Sequence, residues 1–197
     1  MTTIIDYDAG NIHSVVGALS RLGEKYVLSS DPDVILSSDR VLLPGVGEAS
    51  RCMESLRRKG LDTVVPRIEA PLLGICIGLQ LLCTGSEEGN ASCLGVFDVP
   101  VLQMHPAPGM KVPHMGWNEI SAVGSPCPIL HGLERGKYFY FVHSFYAPIS
   151  DSTAASTTHG NLTFSSVLWK DNFFGVQFHP EKSGEGGLEL LRNFISL

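Results

Sequence analysis

Leu72-Leu73-Gly74-Ile75-Cys76-Ile77-Gly78-Leu79-Gln80-Leu81-Leu82-Cys83 is the stretch on which the fold turns. Leu72 to Ile75 is a short, wholly apolar run, as expected of a strand covered on both faces, and Leu79 to Cys83 continues as a helix. The glycines between them permit a tight turn and a close approach of neighbouring backbone. G-x-C-x-G at a strand-to-helix junction has the form of a nucleophile elbow with Cys in place of Ser. Such a turn lifts the Cys76 sulfur above the strand ends and sets it at a helix N-terminus, where the dipole favours a thiolate. The plain alternative is a structural cysteine among glycines, and the motif alone does not separate the two.

Upstream, the same alternation of strand and helix repeats. Thr3 to Tyr7 reads as a strand, Gly10 and Asn11 turn the chain, and Val15, Val16, Leu19 and Leu22 recur at helical spacing. Tyr26 to Leu28 reads as a second strand, and Val34 to Leu36 as a helical turn. Val41 to Leu43 reads as a third strand ending at Pro44-Gly45. Helices are expected from Ala49 to Lys59 and near Thr63 to Glu69. Repeated βα units imply a parallel sheet with helices on its faces. After Gly85, Gly, Pro and short extended runs take over; Tyr138 to Tyr146 and Ser165 to Trp169 look antiparallel, and Gly187 to Leu197 closes as a helix. The expectation is one α/β domain over residues 1–197: a mostly parallel sheet flanked by helices, with an antiparallel extension.

Composition narrows the classes. The 197 residues are 44% hydrophobic and 17% charged, too apolar for a disordered chain. A net charge of −6 argues against a nucleic-acid footprint. No run approaches the roughly 18 apolar residues of a membrane span, and the N-terminus lacks the basic and apolar regions of a secretion signal. A cytoplasmic protein is expected. The five cysteines include no CxxC pair, and His105, His114, His131, His143 and His159 show no zinc-like spacing, so neither a disulfide framework nor a metal is expected.

A nucleophilic cysteine needs a base. Among seven histidines, His179 stands out by its setting, Gly175-Val176-Gln177-Phe178-His179-Pro180-Glu181. Proline pushes the preceding residue towards extended backbone, and in an extended segment residues i and i+2 point to the same side. Imidazole and carboxylate are thereby presented together, as a Cys-His-Glu triad requires. A surface loop with an incidental His and Glu remains the alternative. Acyl chemistry also needs two converging N–H donors. Ile77, directly after the cysteine, supplies one; the turn Pro44-Gly45-Val46-Gly47, through Val46 or Gly47, supplies the second. The competing reading of that turn is a dinucleotide fingerprint, which it fits poorly because Ser50 stands at the third glycine position.

Together, GICIGLQLL around Cys76, GVQFHPEKS around His179 and PGVG at 44–47 resemble the class I, triad-type glutamine amidotransferases. The segments Asp6 to Asn11, Lys111 to Asn118 (KVPHMGWN) and Phe141 to Tyr146 resemble, within that family, the glutaminase subunits of imidazole glycerol phosphate synthase in histidine biosynthesis. The resemblance covers nearly the whole chain. It implies a flavodoxin-like fold, hydrolysis of L-glutamine through a γ-glutamyl thioester, and no cofactor. It also implies glutamine-binding roles for Gln80, Glu88, Ser144 and Phe145. The implied partner is a (βα)8-barrel cyclase that receives ammonia in a heterodimer, with Asn11, Trp117, Asn118, Tyr140 and Lys182 at the interface. Core packing is the alternative for Trp117, and a solvated loop acid for Glu88. Asp8 stands where the family usually has glycine, and Phe145 where tyrosine is frequent. The Gly-flanked turn at 45–47 suggests a peptide that turns its N–H to the site only when the partner binds. Competing functions are the glutaminase of another synthase (anthranilate or pyridoxal phosphate synthesis), a cysteine peptidase or stress protein with a Cys elbow, and a binding-only domain.

Overall fold

The computed structural model describes residues 1–8, 11–133 and 136–197. The first half alternates as the apolar pattern dictates: β1 (Thr2–Ile5), α1 (Ile12–Arg21), β2 (Tyr26–Ser29), α2 (Pro32–Leu36), β3 (Arg40–Gly45), α3 (Ala49–Arg58), β4 (Leu72–Cys76) and α4 (Ile77–Leu81). The second half is strand-rich: β5 (Gly85–Ser86), β6 (Ala91–Ser92), β7 (Pro100–Gln103), β8 (His114–Glu119), β9 (Ser121–Ala122), β10 (Tyr138–His143), β11 (Phe145–Tyr146), β12 (Thr153–His159), β13 (Leu162–Lys170) and β14 (Phe173–Val176). Helix α5 (Gly184–Ile195) closes the chain.

The main sheet has eight strands in the order β2-β1-β3-β4-β14-β13-β12-β9. From β2 to β14 the neighbours are parallel; β13, β12 and β9 extend the sheet antiparallel. A two-stranded sheet (β10-β8) and a four-stranded one (β11-β7-β5-β6) stand beside it. Strands β3 and β4 are buried almost throughout, which is why they read as continuous apolar runs. Helices α3 and α4 pack on each other, while α1 and α5 both pack on the turn at Pro180–Lys182.

One expectation changes. The stretch from Thr63 to Glu69 is not a helix: only Val65–Arg67 forms a single 3-10 turn, because Pro66 has no N–H and restricts the residue before it. The turn expected at Gly10 lies outside the described residues. Asp8, in the family's glycine position, takes φ +64, and its carboxylate lies 2.8 Å from Lys59 Nζ and 3.1 Å from Arg58 Nη2. The left-handed backbone is kept, and the side chain is tethered to the end of α3.

The elbow depends on two glycines. A Cβ at Gly78 would sit 1.8 Å from the Leu43 carbonyl oxygen, and one at Gly74 would sit 2.6 Å from the Gly78 carbonyl. These neighbours are backbone and cannot yield. Gly78→Ala is therefore expected to cost about 3 kcal/mol, from overpacking against a strand. The check is a lowered urea midpoint with an unchanged slope.

Candidate active site

Cys76 ends β4 at φ +55, ψ −107, a region that non-glycine residues rarely occupy. Crowding at Gly74 and Gly78 forces that turn, which aims the sulfur away from the strand. Register then assembles the rest. Gly45 on β3 pairs with Cys76, and Val176 on β14 pairs with Ile75, so β14 runs out beside the elbow and delivers His179. His179 is extended, at φ −101 and ψ 94, but Pro180–Lys182 is a 3-10 turn rather than more strand. The i, i+2 alternation therefore does not describe Glu181. The turn still brings Glu181 Oε1 to 2.8 Å from His179 Nδ1, with both side chains almost wholly buried. The carboxylate accepts, so Nδ1 carries the proton and Nε2 is the nitrogen left for the thiol. Burial opposes charge on the His179 ring, but bonding to the Cys76 sulfur and to Glu181 outweighs it and holds the imidazolium up to about 9.

A cavity of about 390 Å³ opens over this group. Its lining includes the predicted residues Cys76, Ile77, Val46, Gly47, Gln80, Glu88, Ser144, Phe145, His179 and Lys182, and also Pro113, Val142 and His143. Ile77 begins α4, so its N–H has no acceptor within that helix. Gly47 takes φ +98, as only glycine does easily. The carbonyls of this turn are tied from beneath: Tyr7 Oη donates to the Pro44 carbonyl at 2.7 Å, and the Cys52 thiol to the Val46 carbonyl at 3.6 Å. Glu88 Oε2 accepts the Ala49 N–H at 2.8 Å, and partial burial raises its pKa. It is a cavity acid at the start of α3, not a solvated loop acid.

Among the described residues, no group of three or more His, Cys, Asp or Glu is placed to hold a metal ion, and no helix is long and apolar enough to cross a membrane. A thiol, an imidazole oriented by a carboxylate and backbone donors beside them can perform acyl transfer without a cofactor.

The family model "Glutamine amidotransferase class-I" matches residues 3–197. The chain belongs to the class I glutamine amidotransferases. Over 195 residues it is 49% identical to a Bacteroides fragilis protein named "Imidazole glycerol phosphate synthase subunit HisH", with 98% of each chain covered. A protein of the same name from Yersinia pseudotuberculosis is 45% identical over 195 residues, again with 98% of each covered. Among solved structures, PurLQS from Thermotoga maritima shares the fold at TM-score 0.71 and 18% identity, over 99% of this chain and 97% of that one.

In this class I amidotransferase the other predicted positions separate into two groups. Glu181 lies behind His179, outside the cavity lining. Asn11, Trp117, Asn118 and Tyr140 also lie outside it. Trp117 is 56% exposed, so core packing does not account for it. Met115 (63%) and Tyr138 (57%) are equally open on the β8–β10 sheet, where Trp117 pairs with Tyr140. One residue passed over in the sequence is Gln177. Fully buried, it receives a hydrogen bond from Gln80 Nε2 at 3.0 Å and directs its own Nε2 to Cys76 Sγ at 3.8 Å. Its only sequence signal is a polar residue inside an apolar strand end, two places before the histidine.

The raised pKa of His179 has a direction that can be checked. Its charged form stabilises the fold fully below about 6.5, and that contribution is lost as the pH rises towards 9. Removing the carboxylate charge in Glu181→Gln is expected to lower the ring's pKa and move this window down. NMR titration of the His179 ring in both proteins measures it.

Proposed function

We propose that this chain is the glutaminase subunit of an imidazole glycerol phosphate synthase, a single domain over residues 1–197 that works in the cytoplasm. The observation that carries the chemistry is Cys76, held at positive φ beside the His179–Glu181 pair on one cavity. The names of the relatives support the synthase.

With the proton of the Cys76 thiol held on His179 Nε2, the thiolate attacks the carboxamide carbon of L-glutamine. Ile77 N–H and an N–H of Val46 or Gly47 hold the resulting oxyanion. His179 returns the proton to the departing ammonia, leaving a γ-glutamyl thioester. Water, activated by the same imidazole, then releases glutamate and the thiol. Glu181 keeps the ring oriented throughout. Gln80 is suited to reading the substrate: both hydrogens of its Nε2 are engaged, by Phe145 O at 3.1 Å and Gln177 Oε1 at 3.0 Å, while its buried Oε1 has no partner among the described residues. That oxygen accepts an N–H of the bound glutamine. Glu88 faces the α-ammonium, and the backbone of Ser144 and Phe145 lines the remainder.

Ammonia passes to a (βα)8-barrel cyclase docked on the face that exposes Met115, Trp117 and Tyr138, with Asn11, Asn118, Tyr140 and Lys182 at the contact. Docking reorients the peptide at Gly45-Val46-Gly47; in the free chain Cys52 restrains the Val46 carbonyl, and Tyr7 the Pro44 carbonyl just before this segment.

Glutamate release from glutamine tests this in three settings: the chain alone, with the cyclase, and with the cyclase and its ribotide substrate. Release is expected to be low alone and to rise with the loaded partner. Cys76→Ala should reduce it by more than about 10⁴-fold. Activity indifferent to this cyclase points to another synthase, and full activity of the free chain overturns the reorientation.

A further inference from the structure

On the β8–β10 sheet lie two buried imidazoles that the catalytic steps leave unused: His143, which lines the cavity, and His114 beside it. His114 on β8 and His143 on β10 are register partners, both nearly inaccessible. Their tautomers are dictated by their neighbours. His143 Nδ1 lies 2.7 Å from the Phe145 carbonyl oxygen, which can only accept, so Nδ1 carries the hydrogen. The bare Nε2 then accepts from His114 Nδ1 at 3.0 Å. His114 Nε2, bare in turn, accepts from Asn118 Nδ2 at 3.2 Å. Asn118 cannot be flipped, because its Nδ2 also donates to the Thr158 carbonyl and its Oδ1 accepts the Glu119 N–H. The His114 ring is clamped between Phe141 and His159, with centroids at 4.7 and 4.1 Å. Burial keeps both rings neutral, His143 down to about 3 and His114 to about 4.

The string ends where substrate reading begins. The Phe145 carbonyl receives His143 Nδ1 and Gln80 Nε2 together, filling both its lone pairs. We propose that His143, oriented by His114 and Asn118, is a positioning residue for glutamine recognition: it fixes the Phe145 carbonyl that turns Gln80, so that Gln80 Oε1 rather than its NH₂ faces the ligand. This rests on the glutaminase reading above. Through Gln177 the same network continues to the Cys76 sulfur, so the amide that reads the substrate and the nucleophile that attacks it share one set of hydrogen bonds.

The test compares His143→Asn with His143→Gln in the full chain. Asparagine places an N–H where Nδ1 was and keeps the bond to Phe145; glutamine reaches towards His114 and loses that bond. The readout is the rate of Cys76 alkylation by a diazoketone analogue of glutamine, divided by the rate with iodoacetamide. This selectivity is expected to fall about tenfold in His143→Gln and to recover to within about twofold of wild type in His143→Asn. In the wild-type complex with the cyclase, the same loss appears as a raised KM for glutamine in His143→Gln with kcat little changed. Imidazole ¹⁵N shifts of the wild-type protein should show both rings protonated at Nδ1. Equal selectivity in the two variants, or an Nε2-protonated His143, overturns the proposal. Wild-type protein that does not prefer the glutamine analogue overturns the glutaminase reading beneath it.

Discussion

The approach of α4 to β3 at Gly78 is the constraint on which the site depends. With the Leu43 carbonyl where a Cβ would be, the helix can begin only in one place, immediately after a residue bent to positive φ. That residue is Cys76. The close approach also draws β3 and β4 into the register that sets Gly45 opposite Cys76. Strand β14 completes the arrangement from the other side. Three neighbouring parallel strands thus end at one place: one carries the nucleophile, one the Gly-rich turn and one the histidine. Parallel sheets gather ligand sites at their carboxyl ends for this reason.

The interactions around the nucleophile are cooperative in a simple electrostatic sense. Glu181 fixes which nitrogen of His179 is free, and the Cys76 sulfur and the carboxylate share the positive charge that burial alone would disfavour. On the other side of the sulfur, Gln177 and Gln80 orient one another through amide groups: turning Gln177 over sets donor against donor, and turning Gln80 over sets acceptor against acceptor. Few of these groups are free to choose another geometry, so the side chains around the sulfur are oriented before any ligand arrives.

What could be read in the sequence was what is local. Gly74-Ile75-Cys76-Ile77-Gly78 announces its turn because the glycines and the cysteine are neighbours in the chain. His179-Pro180-Glu181 announces its pair because proline restricts the backbone there, although a 3-10 turn, not strand alternation, closes the contact. The parallel order followed from apolar strands separated by helical spacing. The helix expected at Thr63 to Glu69 does not form, because Pro66 confines that segment to a single 3-10 turn. Gln177, and the contact of His114 with His143, had no such announcement. They are joined only by the pairing of β8 with β10 and of β4 with β14, between segments tens of residues apart. A tautomer string in particular leaves no pattern of spacing, because it depends on which nitrogen of each ring meets which carbonyl.

The packing at Gly78 also divides lesions at the elbow into two kinds. A side chain there meets a backbone oxygen, so substitution is read in how much of the protein stays folded. Trimming the Cys76 sulfur removes atoms rather than adding them, and takes away the nucleophile while leaving that packing in place. Two residues apart in sequence, one position sets abundance and the other sets turnover.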